Sequence, residues 1–163
     1  MEKITVTTNS AEETMALAEQ IGARLHAGDV IAYFGGLGAG KTTFTRGLAK
    51  GMGLPDVVSS PTFAIVQEYH GGGLSLYHFD MYRIDGAMDL ESTGFYDYPL
   101  DEGVFAIEWS ENIRSELPAD CIRITIQRTA EEQRKITIEG DERFADLGNC
   151  HLRQGGSCRP VRH

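Results

Sequence analysis

In "KITVTT", from Lys3 to Thr8, apolar and polar residues alternate, which predicts a strand with one buried face. The period then changes. Met15, Ala18, Ile21 and Leu25 recur every three or four positions, and Ser10 followed by Glu13 forms a capping box, so a helix is expected from Ser10 to about Gly28. "DVIAYF" (Asp29 to Phe34) is almost continuously apolar, as in a strand covered on both faces. "KTTFTRGLAKGM" reads as a helix stopping at Gly51 or Gly53. "FAIVQEY" and "LSLYHFDMYRI" read as two strands joined by a glycine turn, which introduces an antiparallel element. "AMDLESTGFYDYP" reads as a helix and loop, "GVFAIEW" as another buried strand, and "ENIRSEL" as a short helix. "DCIRITIQRT" and "QRKITIEG" form a hairpin around "AEE", and a last helix begins near Glu142.

These 163 residues suit one domain, placed at 1–148, with a core that needs no disulfide or metal. From Asn149 the composition changes: "NCHLRQGGSCRPVRH" has three arginines and no acid, and 149–163 is expected to be a flexible basic tail. Fifteen Lys and Arg against 24 Asp and Glu give a net charge of -9, which argues against a chain that coats nucleic acid by itself. Any RNA contact is expected to come through a basic partner. Three scattered cysteines, no secretory leader and no apolar run long enough to span a bilayer point to a reduced, cytoplasmic protein away from membranes.

"GGLGAGKT" fits Gly, four residues, Gly, Lys, Ser or Thr, between a predicted strand and a predicted helix. Gly35, Gly36, Leu37, Gly38, Ala39 and Gly40 bring backbone N–H groups and a helix N-terminus around one small volume that favours an anion. Lys41 reaches the β and γ phosphates of a nucleotide, the Thr42 hydroxyl can ligate Mg²⁺, and Thr43 can add a hydroxyl at the α phosphate. By chance the pattern arises in about one chain in two hundred of this length, and the strand and helix around it make accident rarer.

Hydrolysis also needs a carboxylate at the metal and a group that orients the attacking water. Glu108 ends an apolar strand where such sheets hold the metal; the plainer reading is a charged residue where the strand surfaces. In "HFDMYR", alternation puts His78, Asp80 and Tyr82 on one face and Phe79, Met81 and Arg83 on the other. That polar face is either a site, with Asp80 as metal ligand or base and His78 supporting it, or a solvated edge strand. Ser60, Pro61 and Thr62 lie where nucleotide-sensing loops follow such helices, though Pro61 equally suits a rigid turn.

Three classes of phosphate-binding protein compete. A guanine-nucleotide switch needs Asn-Lys-x-Asp and Asp-x-x-Gly, and the chain has neither. A small-molecule kinase usually carries an arginine-bearing lid, and the tail alone has an arginine cluster. A small ATPase acting on partner proteins remains, with a nucleotide-gated binding module as its non-hydrolysing rival.

"GGLGAGKTTFTRGLAKGMG", "SSPTFAIVQEY", "LYHFDMYR" and "FAIEWSENI" occur in an order and spacing that resembles the TsaE (YjeE) family, from about Ser10 to Ile138. The resemblance implies an α/β fold, P-loop NTPase-like and three-layered, with a mixed parallel and antiparallel central sheet. It implies ATP and Mg²⁺ as cofactors, and ATP hydrolysis supporting a TsaB–TsaD heterodimer that forms threonylcarbamoyladenosine at position 37 of tRNAs reading ANN codons, with tRNA contacted through the complex. Carried onto this chain, it makes Lys41 a phosphate ligand, Thr42 and Glu108 metal ligands, and Asp80 an active-site acid. Ser60 to Thr62 become a switch-like loop, Trp109 a neighbour of the metal, and Ser10 and Arg134 candidates for reaching the adenine. Members often carry Asp at the position of Gly36 and Pro at that of Ser110. No arginine finger is fixed by the sequence; Arg83 is a candidate, and turnover is expected to be slow without partners. Cys150, His151, Cys158 and His163 fit no familiar zinc spacing.

Overall fold

The computed structural model describes residues 2–35, 40–54, 66–71, 73–80, 102–108, 117–151 and 159–160. Strand β1 (Glu2–Thr8) turns into helix α1 (Ala11–Gly22) through Ser10, whose Oγ accepts the Glu13 amide at 3.1 Å. Glu13 Oε1 in turn accepts the Asn9 amide at 3.3 Å. The helix stops at Gly22, six residues before the position expected from the apolar spacing. Leu25, which extended that spacing, is buried from the loop, and Gly28, at φ 91°, forms the turn into the next strand and donates its N–H to Gly103 O at 2.9 Å.

Strand β2 (Val30–Phe34) leads to α2 (Lys41–Gly51); β3 (Val66–Tyr69), β4 (Ser75–Asp80), β5 (Gly103–Glu108), β6 (Ile122–Arg128) and β7 (Arg134–Gly140) follow, then a 3₁₀ segment Glu142–Asn149. The seven strands form one sheet in the order β1-β7-β6-β2-β5-β4-β3. Its centre, β6-β2-β5-β4, is parallel, while β1, β7 and β3 join antiparallel. The architecture is therefore α/β with a mixed sheet, as expected. Beyond the sheet, β8 (Cys150–His151) pairs antiparallel with β9 (Arg159–Pro160) inside the segment read as a flexible tail.

The strand alternation sorts two cores. Ile31, Tyr33, Leu76, Val104, Ala106, Ile124 and Ile136 face α1 and α2, which contribute Leu17, Ile21, Phe44 and Leu48. Val30, Ala32, Tyr77, Phe79, Phe105 and Ile107 make the opposite face. The helices meet backbone to backbone, because a methyl group at Gly22 would overlap the Leu48 carbonyl and one at Gly51 the Glu19 carbonyl. This close packing presses α2 onto the sheet and fixes where its first residue, Lys41, stands.

Candidate functional site

The parallel strands bring the carboxyl ends of β2, β4 and β5 out at one end of the sheet, the place where open α/β sheets bind ligands. In register, Ala32 pairs with Ile107 and Asp80 with Glu108, so the ends of β4 and β5 lie together beside the turn that leaves β2. Gly35 begins that turn at φ 129°, and a side chain there would overlap the Ile126 carbonyl on β6. Glycine is required by conformation and by space. Gly40 closes the turn in the left-handed region (φ 104°, ψ 21°) and is the N-cap of α2, with no side-chain hydrogen bond to the helix's first amides. That end is open to an anion in the way a Ser or Asp cap would not leave it.

Lys41 is only 6% exposed. Burying an ammonium costs several kcal/mol unless opposite charge is near, and the Glu108 carboxylate interacts with it electrostatically. Burial pushes the Glu108 carboxyl up, but His78 and then Lys41 outweigh it and hold it below the usual carboxylate range. Glu108 is thus ionised at neutral pH, 17% exposed, with Oε2 2.6 Å from His78 Nε2. The contact is close but off-axis: Nε2 makes no aligned hydrogen bond among the described residues.

His78 is 6% exposed on β4, which lies between β5 and β3 rather than at an edge. For His78 the solvated-edge reading is overturned. Its ring packs edge-on against Tyr33, with centroids 6.3 Å apart at 78°. Tyr33 OH bonds Thr45 Oγ1 at 2.8 Å, and Thr45 Oγ1 donates to the Lys41 carbonyl at 2.9 Å. Since the threonine proton is used on the carbonyl, Tyr33 is the donor of the first bond. Tyr33 and Thr45 were not singled out in the sequence; the available signals were a lone hydroxyl within the apolar "VIAYF" and a threonine one helical turn after Lys41.

Beside the start of α2 lies a cavity of about 190 Å³ lined by Ala11, Glu12, Thr14, Gly40, Thr43, Glu131, Glu132 and Arg134. It joins three parts far apart in sequence: the start of α1, the start of α2 and the β6–β7 hairpin. Arg134 Nη1 donates to the carbonyls of Ala130, Glu131 and Gln133 at 3.0 to 3.2 Å, and its Nε stands over Gly40. Ser10 caps α1, and the following residue, Ala11, lines the cavity. Thr42 lies in the first turn of α2. Residues 36–39, 60–62, Tyr82, Arg83 and Trp109 lie outside the described residues, as do Cys158 and His163.

Over residues 8–136 the chain matches the family model of the threonylcarbamoyl adenosine biosynthesis protein TsaE. The chain belongs to the TsaE family. It is 42% identical over 149 residues to the tRNA threonylcarbamoyladenosine biosynthesis protein TsaE of Bacillus subtilis, covering 91% of this chain and 89% of the relative. The Treponema pallidum and Streptomyces coelicolor proteins of the same name are 38% and 40% identical, covering 80% and 79% of this chain and 96% and 92% of theirs. In structure it is similar to Bacillus subtilis YdiB, with a TM-score of 0.70 and 36% identity over 90% of this chain and 91% of that one. TsaE membership makes this a protein of a tRNA threonylcarbamoyladenosine biosynthesis family. No helix among the described residues is long and apolar enough to cross a membrane.

Proposed function

We propose that this TsaE protein binds ATP with Mg²⁺ and hydrolyses it in support of threonylcarbamoyladenosine formation on tRNA, together with a TsaB–TsaD complex. The observation that carries the proposal is the meeting of Lys41, at a helix start that Gly40 leaves without a side-chain cap, with an ionised Glu108 from the neighbouring end of β5. A hard carboxylate oxygen, kept ionised and close to the phosphate-binding end of a helix, suits Mg²⁺. When bound, the ion would neutralise charge on the β and γ phosphates, with Glu108 and Thr42 as the residues to hold it.

The chain's own groups give the nucleotide a direction. The cavity's roughly 190 Å³ is below the usual ~300–1,000 Å³ of a whole ligand site. It therefore suits one end of the nucleotide. Three carboxylates among its lining, Glu12, Glu131 and Glu132, disfavour phosphate there, so the sugar and base occupy this end beside Arg134, while the phosphates run from Thr43 across the α2 start to Lys41. The α2 amides and the Lys41 ammonium meet charge that develops on the transferred phosphoryl group. Asp80, in register with Glu108, is the acid proposed to orient the attacking water.

The test is ATP hydrolysis by the protein alone and with TsaB, TsaD and substrate tRNA. Lys41→Ala is expected to lose nucleotide binding. Glu108→Ala is expected to lose about 10²–10³-fold in turnover while still binding ATP. Wild-type turnover by Glu108→Ala in the full complex would overturn the metal assignment. Repeated rounds of tRNA modification supported equally by a non-hydrolysable ATP analogue would overturn the hydrolytic reading in favour of gating.

A further inference from the structure

We infer that His78 is a positioning residue for Glu108, and that the buried row Lys41 carbonyl, Thr45, Tyr33, His78 and Glu108 sets the separation between the phosphate-binding lysine and the metal-binding carboxylate. The inference rests on the Mg-ATP reading above. Glu108 stands on the last position of β5, where a side chain with three rotatable bonds has several directions open to it. His78 Nε2, 2.6 Å from Oε2, narrows them. With its proton on Nε2 the imidazole stands as a donor in close but off-axis contact with one carboxylate oxygen and leaves the other for a cation.

The imidazole is itself braced. At 6% exposure it cannot swing into solvent, and the Tyr33 ring stands edge-on against it. Tyr33 is held by Thr45, and Thr45 by the carbonyl of Lys41, the residue whose ammonium faces the same phosphates. Four elements are thereby tied beneath the site: β2 by Tyr33, α2 by Lys41 and Thr45, β4 by His78, β5 by Glu108. A purely structural histidine at this place would fill volume; this one also has its polar edge on the carboxylate.

The experiment separates reach from bulk. Gln places an amide nitrogen where Nε2 stands, whereas Asn is as polar but too short to touch Glu108. Binding of a non-hydrolysable ATP analogue is measured by calorimetry in EDTA and across a MgCl₂ series, for wild type, His78→Gln and His78→Asn, with thermal melts establishing that each is folded. His78→Asn is expected to raise the Mg²⁺ concentration for half-maximal tightening by about ten-fold or more, with EDTA binding unchanged and His78→Gln close to wild type. In a Glu108→Gln background the Asn and Gln variants are expected to be indistinguishable. If Asn and Gln behave alike with Glu108 present, or if both lose EDTA binding in parallel, the positioning role is overturned. If wild type itself gains nothing from Mg²⁺, the metal reading fails first and takes this inference with it.

Discussion

Tyr33 lies fully buried in an apolar strand, and its hydroxyl is held far from ionisation by that burial. Replacing it by Phe removes one bond in the row under the site and is expected to cost about 1 kcal/mol in urea unfolding. Thr45→Val removes two bonds at once and should cost more, about 1–3 kcal/mol. Equal midpoints for the two variants would argue that the Thr45 bond to the Lys41 carbonyl contributes nothing. At this scale the sequence was legible where a residue has one physical use. The glycine at 35 is of that kind. His78 was not: alternation allowed a site or a wet edge, and only its 6% exposure, on a strand flanked on both sides, removes the wet edge.

Among the elements, α1 and α2 illustrate how propensity yields to contact. Ala exceeds Gly as a helix former by about 1 kcal/mol, so Gly51→Ala would stabilise an isolated α2. Here a methyl group would meet the Glu19 backbone, and a net loss of about 1–3 kcal/mol is expected, with nucleotide affinity falling as α2 is displaced. A raised denaturation midpoint in Gly51→Ala would contradict the packing described. The same contact adds a packing reason for the glycine at 51, which the sequence offered as a helix stop. The α1 boundary was misjudged for a related reason: Leu25 has helical spacing, yet it reaches the core from a loop, and spacing does not distinguish the two routes. The last hairpin was easier, because alternation in "IRITIQR" and "RKITIEG" marks two strands around "AEE"; the structure sets their register, with Ile124 opposite Ile138 and Ile126 opposite Ile136.

Across the whole molecule, the end of the sheet opposite the site is clasped by arginines. Arg143 bonds Asp29 through both Nη atoms at 2.7 and 2.9 Å and Asp141 through Nε at 2.9 Å; Arg24 bonds Asp146. The Arg143 side-chain bond, ahead of its other effects, holds the Asp141 carboxyl below the usual range, and Arg24 does the same for Asp146. Lowered folded values mean that this stabilisation is present above the unfolded carboxylate pKa and is lost as pH falls through the folded one. Thermal stability should therefore hold from pH 7 to about 5 and decline below about 4. Arg143→Met should lower stability at pH 7 and make the acid decline shallower; an unchanged slope would mean that the clasp does not bind its carboxylates more tightly when ionised.

What the sequence determined by itself was local: strand and helix identity, the capped start of α1, and the glycine pattern between β2 and α2, each fixed by neighbours within a few positions. The order β1-β7-β6-β2-β5-β4-β3 was decided by the tertiary structure, which alone brings Glu108 to His78 across thirty positions of sequence and Arg134 to Gly40 across more than ninety. The physical reason is that periodicity encodes which face of an element is buried, whereas the partner on that face is chosen by packing of the whole core.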